Sequence, residues 1–268
     1  MTSRTPLRPL PFASGSGPAI IVPILAPTPA EAGVRARAAA AAAGVDVLEW
    51  RIDGHIAQGL LDARTPEGAR ASEEAGTPEV GDHAALRDSY TWIADPGVPV
   101  LVTVRSQTEG GHCPDDRYAE AVEAAIALRP AAVDVEMGRE EAGRLLAAAS
   151  DAGVSTVVSA HAWEATPTAQ ELDAAFAVMA GSGADVVKIA VTPQSTADVL
   201  TLLGATARAA ESLDVPVIGI AMGERGRVSR LCGGEFGSAA TFATVGEGSA
   251  PGQMTAEQVA VVRSYLLR

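Results

Sequence analysis

Eight short apolar runs alternate with longer alanine-rich segments, and this alternation limits the chain to an α/β architecture. The runs fall at residues 20–25, 45–51, 98–105, 132–136, 155–161, 186–191, 215–222 and 238–244. Most are nearly continuous in Val and Ile, as parallel strands buried on both faces should be. Between them, 29–43 is almost all alanine and arginine and closes at Gly44, the pattern of a helix with a glycine stop. Thr168 with Glu171 reads as a capping box ahead of Leu172, Phe176 and Met179. Ser195 and Asp198 open a further helix, with Val199, Leu202 and Leu203 on one face, and Thr255 opens the last. Eight strand–helix units in about 250 residues is the arithmetic of a (β/α)8 TIM barrel, a single domain. A doubly wound sheet shares the alternation, but eight units and no G-x-G-x-x-G after the first run favour the barrel. Residues 1–18 read as an irregular extension or small hairpin under the barrel and 19–268 as the barrel itself. The segment 54–81 holds the flexible loop, around TPEGARASEEAGTPEVGD, rich in Gly, Pro, Ser and acid.

Charge and composition exclude several function classes. The formal net charge is −13, which argues against nucleic acid or an anionic membrane as the main partner. A small anionic ligand stays open, because a local arginine cluster overrides net charge. No stretch approaches the roughly 18 apolar residues of a membrane helix, and no signal peptide is read. Cys113 and Cys232 provide neither a disulfide framework nor a C-x-x-C metal site, and fit a reducing cytoplasm. Only 4% of residues are aromatic, so the core is expected to be aliphatic.

Lys188 is the only lysine; every other basic residue is arginine. Codon bias explains the arginines but not why the exception lies in the apolar run Val186-Val187-Lys188-Ile189-Ala190-Val191. A buried lysine is costly when charged, so burial lowers its pKa and exposes a neutral amine. That amine can attack a ketone or aldehyde, which an always-protonated arginine cannot. Active sites of such barrels lie at the C-terminal strand ends, so polar residues there carry information. Glu49 and Arg51 end run two and point the same way. Arg105 ends run three, with Glu109 in the turn before Gly110 and Gly111. Asp134 and Glu136 end run four, His161 ends run five, and Arg230 follows run seven. Glu49, Arg51, Arg105 and Asp134 also suit purely structural buried ion pairs. Together the set describes imine chemistry: Lys188 forms a Schiff base, His161 moves a proton beside it, and Glu109 holds the His161 ring. Arg230, Ser249 and Gln253 are placed to fix a substrate carboxylate.

At these residues the chain resembles the type I 3-dehydroquinate dehydratases, the Schiff-base class of the shikimate pathway. The resemblance runs from about Ile20 to the C-terminus. It rests on ordered motifs: Leu48-Glu49-Trp50-Arg51-Ile52-Asp53, Arg105-Ser106 with Glu109-Gly110-Gly111, and Asp134-Val135-Glu136. Ser159-Ala160-His161 and Lys188-Ile189-Ala190-Val191 follow, then Ser229-Arg230, Phe236 to Phe242, and Ser249-Ala250-Pro251-Gly252-Gln253. The resemblance implies a homodimeric barrel enzyme without metal or organic cofactor that dehydrates 3-dehydroquinate to 3-dehydroshikimate by syn elimination. It implies Lys188 as the imine-forming lysine, His161 as base at C2 and then acid for the C1 hydroxyl, and Glu109 as its partner. It further implies that Glu49, Arg51 and Arg105 contact ring hydroxyls, and that Arg230, Ser249 and Gln253 hold the carboxylate. The loop after run eight would close over substrate. The chain departs from the family pattern at Ala160 and Ala162, which flank the histidine, and at Pro23, which aligns with a serine.

Two other readings use the same residues. A class I aldolase would also use the lysine, with 246–252 as a phosphate grip before a helix N-terminus. A non-catalytic barrel binding a related metabolite is a third reading, although a binding protein has no need of a nucleophilic amine.

Overall fold

The structure, a computed structural model, describes residues 10–12, 17–26, 28–59, 83–246 and 253–266. Its eight strands are β1 (Ala19–Ile24), β2 (Val47–Arg51), β3 (Val100–Thr103), β4 (Ala132–Glu136), β5 (Ser155–Ala162), β6 (Val186–Val191), β7 (Val217–Ala221) and β8 (Ala240–Phe242). All pair in parallel in the order β7-β6-β5-β4-β3-β2-β1-β8. A single bridge from Val217 to Ser238, with the Ala239 N–H donating to the Val217 carbonyl at 2.7 Å, brings β7 back to β8. The result is a nearly closed (β/α)8 barrel.

The helices are α1 (Pro29–Ala40), α2 (Asp53–Ala57), α3 (Ala84–Ala94), α4 (Tyr118–Ala127), α5 (Ala142–Ala152), α6 (Ala169–Gly181), α7 (Thr196–Ser212), α8 (Arg227–Cys232) and α9 (Ala256–Leu266). Their starts follow local chemistry. Thr168 and Ser195 each close a capping box, with Glu171 and Asp198, and Thr28 caps α1 with Pro29 behind it. Thr255 and Gln258 exchange side-chain and backbone bonds at the start of α9. Helix α1 stops at Ala40 rather than 43, because the chain tightens there: the Ala42 N–H bonds the Ala39 carbonyl. Run three, expected over 98–105, pairs only from Val100 to Thr103, since Pro99 has no N–H to give and Arg105 turns into a loop. Run eight, expected over 238–244, shortens to three residues.

Strand alternation sorts the barrel wall into two faces. Ile20, Leu48, Trp50, Val102, Val133, Val158 and Ile189 face the helices. Ile21, Val47, Leu101, Ala132, Val157, Val186, Ile218 and Ala240 fill the barrel interior. Leu10 and Phe12 pack against this inner cluster, so the described part of the 1–18 extension covers apolar side chains. Two residues further along β2, β4, β5 and β6 the interior turns polar: Val47 gives way to Glu49, Ala132 to Asp134, Val157 to Ser159 and Val186 to Lys188. The helix-facing and interior clusters pack the two faces of the wall, and the polar layer is mounted on it. No helix among the described residues is long and apolar enough to cross a membrane. Of the segment 54–81, residues 60–81 lie outside the described residues.

Candidate active site

The polar layer opens into a cavity of about 190 Å3 lined by Glu49, Arg51, Arg105, His161, Lys188, Arg230 and Gln253, among others. The structure therefore brings together seven of the nine expected site residues on its walls. Glu109 stands behind His161. Ser249 lies outside the described residues.

Lys188 is held in the middle of β6, level with Ser159 on β5 and Ile218 on β7. It is 6% exposed. Its Nζ lies 3.9 Å from Asp134 Oδ2 and 4.7 Å from the centroid of the Phe242 ring. Burial pulls the Lys188 pKa below its ordinary value, Asp134 and Glu49 oppose the shift, and Arg105 and Arg51 add to it. Asp134 Oδ2, although buried, has no hydrogen-bond partner among the described residues. This oxygen is the one that faces the Lys188 Nζ.

His161 sits one strand away, opposite Ala190 of β6. The ladder continues past it to Ala162, whose carbonyl accepts the Thr192 N–H at 2.9 Å, so the sheet fixes the backbone between the two flanking alanines. Its Nδ1 is 2.7 Å from Glu109 Oε2, leaving Nε2 as the ring nitrogen free for chemistry. Burial and then the charges of Arg105, Lys188 and Arg51 hold the imidazole well below its usual pKa, which favours the neutral ring. Burial pushes the Glu109 carboxyl up to about 7, against the pull of Arg105.

Glu109 reaches this position through a tied loop. Arg105 and Cys113 close its base, the Cys113 N–H donating to the Arg105 carbonyl and the Gln107 N–H to the Cys113 carbonyl. A side chain at Gly111 would collide with the Arg105 carbonyl at 2.2 Å, so only glycine lets the loop fold back. Farther out, Asp115 accepts from Thr108 and Arg139, which fixes the residue before Glu109.

Arg105 is the hub. Its Nη1 donates to Glu136 Oε1 at 2.8 Å, Glu109 Oε2 at 3.1 Å and Ser159 Oγ at 3.1 Å, and Nη2 donates to Asp134 Oδ1 at 2.8 Å. Glu136 also takes the N–H and hydroxyl of Ser106. The carboxylates outweigh the burial cost and raise the Arg105 pKa. Arg51 is forked onto Asp53, at 2.7 and 3.0 Å, and Glu49 accepts from the Thr103 hydroxyl. Arg51, Arg105 and Asp134 therefore form structural ion pairs of the kind the sequence left open, and Arg51 and Arg105 line the cavity as well. Arg230 is 5% exposed, with Nε buried and unpartnered and Nη1 bonded only loosely to the Phe242 carbonyl at 3.3 Å. Among the described residues no carboxylate pairs with it.

Two contributors were not singled out from the sequence as acting in the site. Phe242 lies under Lys188, and the Trp163 ring stacks on His161 with centroids 5.9 Å apart and planes 17° apart. Among the described residues no group of three or more His, Cys, Asp or Glu is arranged to hold a metal.

The geometry agrees with the company the chain keeps. A match to the type I 3-dehydroquinase family spans residues 20–266. A 3-dehydroquinate dehydratase of Shouchella clausii is 35% identical over 259 residues, covering 94% of this chain and 92% of the relative. One from Shigella boydii is 38% identical over 235 residues, covering 84% and 83%. Among solved structures, the type I 3-dehydroquinate dehydratase of Clostridium difficile, carrying covalently modified comenic acid, superposes with a TM-score of 0.78 at 30% identity, covering 94% of each chain.

Proposed function

The chain belongs to the type I 3-dehydroquinase family, and on that premise we propose that it works through an imine on Lys188, with His161 as the proton carrier. It is a hydro-lyase, a 3-dehydroquinate dehydratase acting in the shikimate pathway. The observation that carries the mechanism is the sole lysine, buried in the wall of a cavity that His161 lines from the neighbouring strand.

The neutral Lys188 amine adds to the C3 carbonyl of 3-dehydroquinate, and loss of water leaves a protonated imine. Asp134 Oδ2, buried and unpartnered, is the counter-ion for that cation. Nε2 of His161 removes a proton from C2, and the electron pair moves into the imine to give an enamine. The imidazolium then gives its proton to the departing C1 hydroxyl, so one group serves both halves of a syn elimination. Water hydrolyses the conjugated imine and frees the Lys188 amine with 3-dehydroshikimate. Glu109 holds Nδ1 throughout. Arg230 and Gln253 grip the substrate carboxylate, and Ser249 joins them on the strength of its sequence motif. Glu49, Arg51 and Arg105 face the ring hydroxyls.

The test is to incubate the protein with 3-dehydroquinate, add borohydride and map the adduct. Lys188 is the only side-chain amine, so mapping need only separate it from the N-terminus. A reduced adduct on Lys188, with absorbance from the conjugated product in the untreated sample, is expected. Turnover without any adduct would remove the imine mechanism.

A further inference from the structure

We propose that Trp163 is a positioning residue for proton transfer, which fixes the face of the His161 ring while Glu109 fixes its edge. The inference rests on His161 acting as the base described above. Trp163 follows directly on the last paired residue of β5, so the sheet sets where its backbone begins. Its indole lies nearly parallel to the imidazole, 5.9 Å between centroids and 17° between planes, an offset stack. It is 47% exposed at the mouth of the cavity, while His161 beneath it keeps only 8% of its side chain in solvent.

A second contact ties the indole to the Glu109 loop. Gly110 adopts φ +77°, and a Cβ there would come within 2.8 Å of Trp163 Cζ2 and 2.9 Å of Cε2. The loop backbone is therefore packed against the indole next to the carboxylate that holds Nδ1. The hydrogen bond to Glu109 alone is a pivot, about which the imidazole can still rock. A flat ring against one face removes that freedom and keeps Nε2 aimed into the cavity. The stack has a second effect once His161 takes a proton. Arg105, Lys188 and Arg51 all disfavour an imidazolium, whereas the π face of an indole attracts a cation. Trp163 thus supports the charged state that exists only between the two proton transfers.

The test compares wild type, Trp163→Leu and Trp163→Phe. Because the side chain is half-exposed, the folded state of each variant is checked first by its thermal melt. For Trp163→Leu, borohydride trapping on Lys188 should remain complete. Its kcat should fall about ten- to a hundredfold, the size expected for a misaimed reacting group, with KM within about twofold of wild type. The isotope effect with 3-dehydroquinate deuterated at C2 should rise as proton abstraction becomes slower, and Trp163→Phe should restore most of the rate. A raised KM with unchanged kcat would overturn the inference and leave Trp163 as a wall of the pocket, and so would unchanged kinetics. A wild type that turns over without trapping on Lys188 would instead overturn the imine reading, and this inference with it.

Discussion

Lys188 Nζ and Asp134 Oδ2 stand 3.9 Å apart, within electrostatic reach and beyond a hydrogen bond. The carboxylate favours the ammonium while burial disfavours it, so Asp134 limits how far the Lys188 pKa falls. Asp134→Asn keeps Oδ1 as acceptor for Arg105 and Ser159 and removes the charge facing the lysine. Amine-directed labelling of Lys188 in this variant should begin at lower pH than in wild type. A labelling curve that does not move would show that Asp134 is not its counter-ion.

Glu109 can hold His161 as a base only when ionised, because the carboxylate must accept from Nδ1–H and leave Nε2 without a proton. The Glu109 carboxyl is pushed up to about 7, so kcat/KM should rise with pH through about that value. Glu109→Gln should abolish this limb and lower kcat/KM on the order of a hundredfold. The same group shapes stability. The folded chain keeps a proton that the unfolded chain releases near the ordinary 4.5, so this contribution is full below 4.5 and is lost as pH rises towards about 7. Denaturant midpoints of wild type and Glu109→Gln, compared across that window, should show the slope in wild type alone.

Arg105 compensates three carboxylates at once, Glu109, Asp134 and Glu136. Arg105→Met leaves them buried without their cation, and removing one partner from a buried ionic cluster costs about 3–5 kcal/mol. Urea unfolding should report a loss of that size. A loss below about 1 kcal/mol would place the variant among exposed ion pairs and contradict the buried hub.

Arg230 offers a fork that lysine lacks. Hydrogen bonds to charged groups contribute about 1.5–3 kcal/mol, so Arg230→Lys should raise KM roughly ten- to a hundredfold and spare trapping at Lys188. A neutral analogue without the carboxylate should lose this discrimination between wild type and variant.

Gly110→Ala tests the packing between the Glu109 loop and Trp163. At φ +77° a Cβ costs roughly 1–2 kcal/mol, and here it would also press into the indole. The variant should unfold earlier on heating and turn over more slowly than its stability loss alone explains.

The barrel was legible because each strand carries its own signature. Runs four and six match β4 and β6 residue for residue, and the helix caps at Thr168 and Ser195 depend only on neighbours in sequence. Apolar character overran the ladder where Val104 stays buried beyond the last paired residue of β3, and alanines after Ala40 carry no stop signal. Lys188 and His161 stood out because each is polar at the end or middle of an apolar run. The linkage of Arg105 to Glu136 could not be read, since it depends on how neighbouring strands and a folded-back loop align. Trp163 was invisible for a similar reason: its stack depends on the turn that follows β5.

The last strand is where the wall is least tied, for β8 has three residues and meets β7 through one bridge. Arg230 is fastened to that strand through its carbonyl, which accepts from Thr241 Oγ1 at 2.8 Å, and its Nη1 adds a looser contact to the Phe242 carbonyl. On the proposed carboxylate site, a carboxylate held by Arg230 would act as a rivet across the seam of the barrel. Amide hydrogens along β8 should exchange more slowly when the cavity is occupied, so that catching the substrate and finishing the closure of the cylinder become one event.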